Sequence, residues 1–248
     1  MATTTEPWLI PDWPLPPGVR ALQTTRHGGI SEGPWHSFNL GDHVGDRPAA
    51  VAANRARLQE ILPASPCWLK QVHGTAVADA DNAAQPTPAA DAVVAREAEH
   101  VCAVMTADCL PVLLADRAGS VVAAAHAGWR GLQAGVLEAT VAAMRASPGE
   151  LSVWLGPAIG PSAFEVGSEV RDAFVVGDVA AAAAFVPGDG GRWLANLYLL
   201  AEQRLRRAGV RDIHGGGRCT LSDPAIWFSY RRDGVTGRMA TLIWRERG

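Results

Sequence analysis

The sequence predicts an α/β (α+β) fold, a layered sandwich in which mixed β-sheets are flanked by helices. Short apolar runs typical of buried strands alternate along the chain with segments whose apolar residues recur at helical spacing. The 248 residues, 48% of them hydrophobic, can bury a large core and fit a single domain over residues 1–248. Residues 1–18 are expected to form an irregular lead-in, because their prolines lack the backbone donors that a helix or sheet requires. This segment is expected to pack through Trp8 and Trp13.

Two segments of contrasting composition follow the lead-in. Residues 24–45 contain many glycines among polar side chains, which predicts a long loop, and its few large apolar residues favour an ordered one. A helix is predicted next, because Asp46 can cap it, Pro48 suits its first turn, and apolar residues share one face before Pro63.

The middle of the chain is predicted to form the centre of the sheet. Asp81–Ala90 is rich in alanine, proline and asparagine, which indicates a surface loop. Three apolar runs bounded by polar or glycine positions then predict strands at Val101–Thr106, Pro111–Ala115 and Val121–Ala125. A helix is expected over Gly131–Ala146, where apolar residues share a face until a Ser-Pro-Gly turn.

Strands and helices also alternate in the rest of the chain. The predicted strands are Leu151–Leu155, Trp227–Tyr230 and Met239–Trp244. The predicted helices are Ser168–Val175, with its serine as the cap, Leu194–Ala208, which Gly209 ends, and a short alanine-rich segment, Ala180–Ala184.

Charge and targeting features point to small-molecule chemistry in the cytoplasm. The formal net charge of −3 and the scattered arginines give no sign of a nucleic-acid partner or an acidic membrane. The N-terminal segment lacks a secretory pattern, and no apolar run approaches the ~20 residues of a membrane-spanning helix. The four dispersed cysteines are expected to be reduced thiols.

Residue types that can bind a metal follow apolar segments in three places. His73 lies in Gln-Val-His-Gly, Asp108 and Cys109 lie in a break between two predicted strands, and His126 precedes Gly-Trp-Arg-Gly. Taken singly, each has an ordinary explanation: a hydrogen-bonded histidine, a packed cysteine, or a tight strand-to-helix turn. A buried Asp108 would require a donor or a charge opposite it, because unpartnered burial of a carboxylate costs several kcal/mol.

Together the three places satisfy the needs of a catalytic zinc. Zinc accepts imidazole and thiolate ligands, and catalytic sites commonly use three protein ligands with an open fourth position. Cys109 and His126 lie too far apart in sequence for a zinc finger, so the ligands must converge through the fold. The turn around Arg130, where a helix is expected to start, is a candidate anion site because helix N-termini present unpaired amides.

Four motifs carry a resemblance to a known family: QVHG at 71–74, TADCLPVLLAD at 106–116, HAGWRG at 126–131 and FSYRRDGVTGR at 228–238. They resemble the bacterial laccase-domain (YfiH-type) family, labelled polyphenol oxidase. Further matches at 24–31, 38–46 and 155–167 extend the resemblance over nearly the whole chain. It implies the layered YfiH-like fold and phosphorolysis of purine nucleosides, with adenosine deamination and methylthioadenosine cleavage as related activities.

The resemblance also implies a catalytic zinc on the matching residues His73, Cys109 and His126, and the chemistry of phosphorolysis suggests roles for further residues. Asp108 is expected to orient a ligand or to act as an acid–base group beside the metal. The predicted metal ligands and catalytic residues are His73, Cys109 and His126, and the predicted contacts to nucleoside and phosphate are Ser37, Asn39, Arg130 and Arg231. The expected assembly is a monomer or a small homo-oligomer.

Three other functions remain open at this stage. A copper-dependent polyphenol oxidase is less favoured than a zinc enzyme, because the seven histidines include no His-x-His pair. A cysteine hydrolase that edits a peptidoglycan precursor would use Cys109 as its nucleophile and a histidine as its base. The third possibility is a metal-stabilised binding module without turnover.

Overall fold

The chain is rich in short strands, which are described here from a computed structural model covering residues 6–82 and 87–247. In chain order the strands are β1 (Trp8–Leu9), β2 (Val19–Thr24), β3 (Pro66–Cys67), β4 (Val77–Asp79), β5 (Ala92–Ala95), β6 (Val101–Thr106), β7 (Leu110–Asp116), β8 (Val122–Ala127), β9 (Leu151–Leu155), β10 (Glu165–Val166), β11 (Phe185–Pro187), β12 (Trp193–Ala195), β13 (Asp212–Gly215) and β14 (Met239–Arg245).

The helices lie mainly between the later strands. In chain order they are α1 (Pro48–Gln59), α2 (Trp129–Ala134), α3 (Val136–Met144), α4 (Ser168–Val175), α5 (Leu197–Arg207) and α6 (Tyr230–Asp233), with 3-10 turns at Gly33–Trp35, Ala80–Asn82, Pro148–Glu150, Val179–Ala184 and Asp189–Gly191. Within the described residues, no helix has the length and apolar character needed to cross a membrane.

Two mixed sheets pack face to face. One has five strands in the order β1-β2-β14-β6-β3, the other has six in the order β13-β9-β7-β8-β5-β4, and a small third sheet joins β10, β12 and β11. Because side chains alternate along a strand, Val104 of β6 and Ile243 of β14 face Leu113 and Ala124 of the six-stranded sheet.

The outer faces of both sheets are covered as well. Ala103 and Met105, on the other side of β6, pack in a cluster with Leu58 of α1. The outer face of the six-stranded sheet packs against α3 and α5, which contribute residues such as Val136 and Leu200. The result is helix, sheet, sheet and helices in layers, which confirms the predicted α/β fold.

Several predicted elements lie where the sequence placed them, and one helix differs. Strands Val101–Thr106 and Leu151–Leu155 and the bounds of Ser168–Val175 agree with the structure. The single helix predicted over Gly131–Ala146 is two helices, α2 and α3. They are divided at Gly135, whose backbone has a φ of 107°. This left-handed conformation costs glycine little, because glycine has no Cβ.

Two caps and one helix start also differ from prediction. The cap of α4 is Gly167 rather than Ser168, and Arg47 rather than Asp46 occupies the cap position of α1. The helix predicted from Leu194 begins three residues later, because Trp193–Ala195 pairs in the small sheet and Asn196 accepts a hydrogen bond from the amide of Leu199.

The strand predicted at Trp227–Tyr230 is absent from the structure. Trp227 and Phe228 are buried but irregular, and the chain then turns into the short helix α6. Ser229 caps that helix by accepting a hydrogen bond from the amide of Arg232. A buried apolar pair with no alternating pattern is compatible with either a strand or a packed loop, so the tertiary contacts decided its conformation.

The N-terminal segments contain strands that the composition did not indicate. The lead-in, predicted to be irregular, includes β1, which pairs with β2 and so joins the edge of a sheet. Residues 1–5 of that lead-in lie outside the described residues, as do 83–86 of the loop predicted at Asp81–Ala90. The unpredicted strands β4 and β5 border this loop and complete the six-stranded sheet.

Candidate metal centre

Three side chains from different segments meet at one end of the paired sheets. His73 lies in the connection between β3 and β4, Cys109 in the turn between β6 and β7, and His126 near the end of β8. Their ligand atoms all lie within 4.8 Å of one another. Cys109 Sγ is 3.8 Å from His73 Nε2, and the two imidazole rings meet edge to face with centroids 4.8 Å apart.

The cluster depends on Asp91, a fully buried residue at the start of β5. Its Oδ1 accepts hydrogen bonds from the amide of His73 at 2.9 Å and from Nδ1 of His126 at 2.8 Å. Its Oδ2 accepts from the amides of Val72 and Gly74. One carboxylate therefore shapes the loop that carries His73 and orients His126. The backbone of His73 has a φ of 60°, in the left-handed region that non-glycine residues seldom adopt.

The bond to Asp91 also determines which nitrogen of His126 faces the cluster. Because Nδ1–H donates to the carboxylate, Nε2 is left as the ligand atom beside Cys109. Burial alone would raise the pKa of Asp91, but the hydrogen bonds from His126, Gly74 and Val72 outweigh burial and lower it. Asp91 is therefore an ionised acceptor at neutral pH.

Sequence reasoning did not identify Asp91. The available signal was an aspartate directly before the apolar run Ala92–Ala95, since a carboxylate beside a buried strand requires donors. Because the sequence does not predict a strand over that run, it does not predict burial of the preceding aspartate. The donors themselves lie 17 to 35 residues away in the chain.

Cys109 and His126 polarise each other in the metal-free protein. Burial favours the neutral thiol, but the positive charge of His126 and the hydrogen bonds from His126 and His73 lower the pKa of Cys109 to about 6. Burial likewise disfavours a charged His126, whereas Cys109 and the bond to Asp91 raise the pKa of His126 to about 9. At neutral pH the pair is a thiolate and an imidazolium.

This polarisation predicts selective alkylation of Cys109 by iodoacetamide in the metal-free protein. The thiolate is the reacting species, so the rate at Cys109 should rise with pH, reach half its maximum near a pKa of about 6 and level off above roughly pH 7. Cys67 is the comparator, because burial raises its pKa and its rate should still climb in alkaline solution. Peptide mass spectrometry distinguishes the two sites, and equal profiles would contradict the ion pair.

The three donors fit a tetrahedral metal ion. Zinc binds nitrogen at about 2.0 Å and thiolate sulfur at about 2.3 Å, so nitrogen and sulfur ligands on adjacent tetrahedral corners lie roughly 3.5 Å apart. The distance of 3.8 Å from Cys109 Sγ to His73 Nε2 is close to this spacing, and a small side-chain shift would bring both atoms onto one ion. Gly128 allows the close approach, because a Cβ there would lie 2.8 Å from His73 Cδ2 and 3.0 Å from Cys109 Sγ.

Asp108 precedes Cys109 and has donors for both of its oxygens. Its Oδ1 accepts from the hydroxyl of Thr220 and its Oδ2 accepts from the backbone amide of Arg231, each at 2.6 Å. These bonds satisfy the buried carboxylate and tie the Cys109 turn to the start of α6. An acid–base role for Asp108 stays a prediction.

The structure places Ser37 and Asn39 inside their own loop. Ser37 Oγ donates to the carbonyl of Arg26 and accepts from the amide of Gly29. The amide group of Asn39 donates to Gly41 and Asp46, and its Oδ1 accepts from the backbone amides of Gly41 and Arg238. All donors and acceptors of the Asn39 side chain are thus occupied, so the predicted substrate contact would require breaking one of them.

The two arginines predicted to contact substrate differ from each other in position. Arg130 lies in the first turn of α2, is exposed, and places its guanidinium 4.5 Å from the ring of its neighbour Trp129. Arg231 reaches the site through its backbone amide on Asp108. The guanidinium of Arg231 instead donates to the carbonyl of Glu165 and lies over the ring of Phe164.

A cavity of about 710 Å³ adjoins the residues that flank the cluster. Gln71 and Met105, close in sequence to His73 and Cys109, line it and hold each other through two hydrogen bonds at 2.8 Å. Arg55 and Asp42 of the wall form an ion pair at 3.3 Å, Lys70 adds a positive charge, and Trp68 adds an aromatic face against which the Arg55 guanidinium stacks at 4.5 Å. The cavity can therefore hold a ligand with an apolar ring and hydroxyl groups.

The chain is similar to known proteins over nearly its whole length. Residues 20–246 match the family model described as multi-copper polyphenol oxidoreductase laccase. A purine nucleoside phosphorylase of Pseudomonas aeruginosa is 56% identical over 96% of this chain and 98% of its own length. The purine nucleoside phosphorylase YfiH of Escherichia coli is 53% identical over 95% and 98%.

Solved structures show the same architecture. A crystal structure of a Neisseria meningitidis protein superposes with a TM-score of 0.95 at 52% identity, covering 98% of this chain and 100% of the other. YlmD of Geobacillus stearothermophilus superposes with a TM-score of 0.88 at 31% identity, covering 98% of both chains.

Proposed function

We propose that this chain, which belongs to the multi-copper polyphenol oxidoreductase laccase family, is a zinc-dependent purine nucleoside phosphorylase. It would convert adenosine, inosine, guanosine or methylthioadenosine and phosphate into the free base and a ribose 1-phosphate. Bacterial relatives at 50–56% identity carry the name purine nucleoside phosphorylase. The observation that carries the proposal is the His73–Cys109–His126 cluster, which is braced by the buried carboxylate of Asp91.

Zinc is the proposed metal because of the donor set. Two imidazoles and one thiolate suit zinc, and three protein ligands leave a position for substrate or water. The low pKa of Cys109 makes its thiolate available at neutral pH, and the bond to Asp91 presents Nε2 of His126. When bound, the metal would polarise a substrate oxygen as a Lewis acid.

The surrounding residues supply binding and orientation. The transition state of phosphorolysis has positive charge on the ribose and negative charge moving to the base, so the site must hold an anion on one side and the base on the other. Lys70 gives the cavity wall a positive charge, since Arg55 is paired with Asp42, and the start of α2 lies beside Cys109 at Gly128. Adenosine deamination at the same site is part of the proposal.

A copper polyphenol oxidase is less well supported by the donor set. Multicopper chemistry requires several closely placed groups of ligands, mostly histidines. Within residues 6–82 and 87–247, His73, Cys109 and His126 are the one group of three or more potential ligands with donor atoms close enough to share an ion. The family description names copper, so metal analysis of the purified protein is the direct check.

A cysteine hydrolase acting on a peptidoglycan precursor is the second candidate, because Cys109 and His126 form a thiolate–imidazolium pair without any metal. Such a pair is the activated state of a cysteine nucleophile. The hydrolase would remain active after complete removal of zinc by a chelator, whereas the phosphorylase would lose its activity.

Incubation of the zinc-loaded protein with inosine or adenosine and phosphate is expected to release the free base and ribose 1-phosphate. Release should require phosphate, and one zinc per chain should be found by elemental analysis. Chromatography of the products also detects conversion of adenosine to inosine. His126→Ala serves as the control, because it removes a ligand atom. Equal product from wild type and His126→Ala, or none from either, would overturn the nucleoside proposal.

A further inference from the structure

Arg238 is a half-buried cation at the same end of the sheets as the metal cluster. It directly precedes β14, whose first residue, Met239, pairs with Thr106 at the end of β6. Cys109 follows Thr106 by three residues, so the two strands deliver Arg238 and Cys109 to one edge. Burial lowers the pKa of Arg238, while the negative charges of Cys109 and Asp108 act in the opposite direction, which agrees with this proximity.

The side chain of Arg238 is held in position along its length. Asn39 Oδ1 accepts a hydrogen bond from the Arg238 amide at 2.9 Å. Gly41 leaves room for the aliphatic stem, since a Cβ there would lie 2.8 Å from Arg238 Cγ. At the tip, Nη1 donates to the carbonyls of Thr236 and Gly237 at 3.1 and 3.0 Å. Loop 39–41 therefore holds the backbone and the stem of Arg238, while two carbonyls of its own segment hold the tip.

The charge of Arg238 has no carboxylate partner within 4.0 Å among the described residues. Asp108, the carboxylate whose charge acts on Arg238, already accepts from Thr220 and Arg231. Within the same described part of the chain, Nη1 is the guanidinium nitrogen that donates to protein, so Nε and Nη2 remain for a ligand. A half-buried cation with a free donor edge favours an anionic ligand.

We propose that Arg238 binds inorganic phosphate beside the His73–Cys109–His126 cluster and is the principal anion-binding residue of the site. This assignment rests on the proposed function for its choice of phosphate among anions. The planar guanidinium can donate two parallel hydrogen bonds to a tetrahedral oxyanion. Arg130 is exposed against Trp129 and the Arg231 guanidinium is bonded to Glu165, so neither matches Arg238 in burial and free donors.

Tyr230 forms the neighbouring wall of this anion subsite. Its ring lies 5.9 Å from the Arg238 guanidinium carbon, and its side chain is 60% exposed. Its neighbour Arg231 is fastened to Asp108 by a 2.6 Å hydrogen bond, which places α6 beside Cys109. Phosphate on Arg238 would therefore lie between the metal cluster and an open aromatic ring.

The test compares Arg238→Gln and Arg238→Lys with a matched arginine variant, Arg20→Gln, whose exposed side chain pairs with Glu246. Phosphate binding to the zinc-loaded chain is measured by titration calorimetry, and the KM values for phosphate and inosine are measured separately. Loss of a charge-assisted bidentate contact should raise the Kd and KM for phosphate about tenfold to hundredfold in Arg238→Gln. The KM for inosine and the zinc content should stay near wild type, and Arg20→Gln should behave as wild type.

The outcomes separate this inference from the proposed function. Nucleoside cleavage with an unchanged phosphate KM in Arg238→Gln overturns the inference and leaves the function intact. Phosphate binding that depends on Arg238 in a protein that cleaves no nucleoside supports the inference and overturns the function. A wild-type protein that binds no phosphate also overturns the inference. So does an Arg238→Gln protein that loses zinc and has raised KM values for both phosphate and inosine, because that combination indicates a structural role.

Arg238→Lys decides the case in which Arg238→Gln does not fold. Lysine keeps the charge and most of the stem beside Gly41 but cannot donate the bidentate pair. A folded Arg238→Lys protein with a phosphate KM raised at least about threefold supports the inference. An unchanged phosphate KM in that variant overturns it.

Discussion

Replacing Cys109 with alanine is expected to remove the bound metal and abolish nucleoside cleavage while the protein stays folded. Two imidazoles remain without the thiolate whose low pKa makes it a ready ligand at neutral pH. A catalytic metal stabilises the transition state by several kcal/mol, so the rate of nucleoside cleavage should fall on the order of a thousandfold or more. The side chain is partly exposed in a turn, so its truncation should cost only about 1 kcal/mol of stability.

Cys67→Ala is the matched control for Cys109→Ala. Cys67 is also partly buried but lies on β3 and packs against the core between the sheets, outside the metal cluster. It should retain zinc, measured by elemental analysis, and the wild-type rate of base release. Retention of zinc and activity by Cys109→Ala would contradict the site. Its global unfolding, with loss of the cooperative thermal transition, would instead indicate a metal-stabilised binding module.

Asp91→Asn is expected to weaken both the metal site and the fold. The carboxylate accepts four hydrogen bonds, whereas asparagine offers one acceptor oxygen and turns an NH₂ group toward donors. Loss of the partner of a ligating histidine lowers metal affinity about 10- to 100-fold. The broken buried network should cost about 3 kcal/mol or more of unfolding free energy. Competition with a zinc chelator measures the first effect, and urea unfolding of the metal-free protein measures the second.

Asp116→Asn separates metal affinity from stability. Asp116 is also buried and accepts hydrogen bonds from Ser120 and Val121, but it closes the turn between β7 and β8 at the far end of those strands. This variant should lose stability and keep zinc affinity. Equal zinc affinity in Asp91→Asn and Asp116→Asn would show that Asp91 does not act on the metal site.

Wild-type protein and Asp91→Asn also differ in their expected response to acid. The lowered pKa of Asp91 means that its stabilising contribution is present above the unfolded pKa of about 3.9 and is lost as pH falls through the folded pKa. Wild-type metal-free protein should therefore lose stability in that acid range. Asp91→Asn, which cannot titrate at this position, should show a shallower loss there.

Local pattern was sufficient for much of the secondary structure. The apolar runs at Val101–Thr106 and Leu151–Leu155 form the predicted strands, and the bounds of Ser168–Val175 follow from spacing and flanking residues. The prediction was wrong where local pattern and tertiary contact compete. Gly135 divides one predicted helix, and Trp227 and Phe228 pack as a buried loop that resembles a strand in sequence.

By itself, the sequence identified His73, Cys109 and His126 as donors in three separate motifs and related those motifs to a family. The tertiary structure alone brought their ligand atoms within 4.8 Å, revealed Asp91 behind two of them and, by pairing β14 with β6, brought Arg238 to the same end of the sheet. The physical reason is that hydrogen-bond satisfaction is a property of the folded chain. The amide of Arg238 finds its acceptor on Asn39, 199 residues away, so no local pattern could show which of the two side chains is left free to meet a ligand.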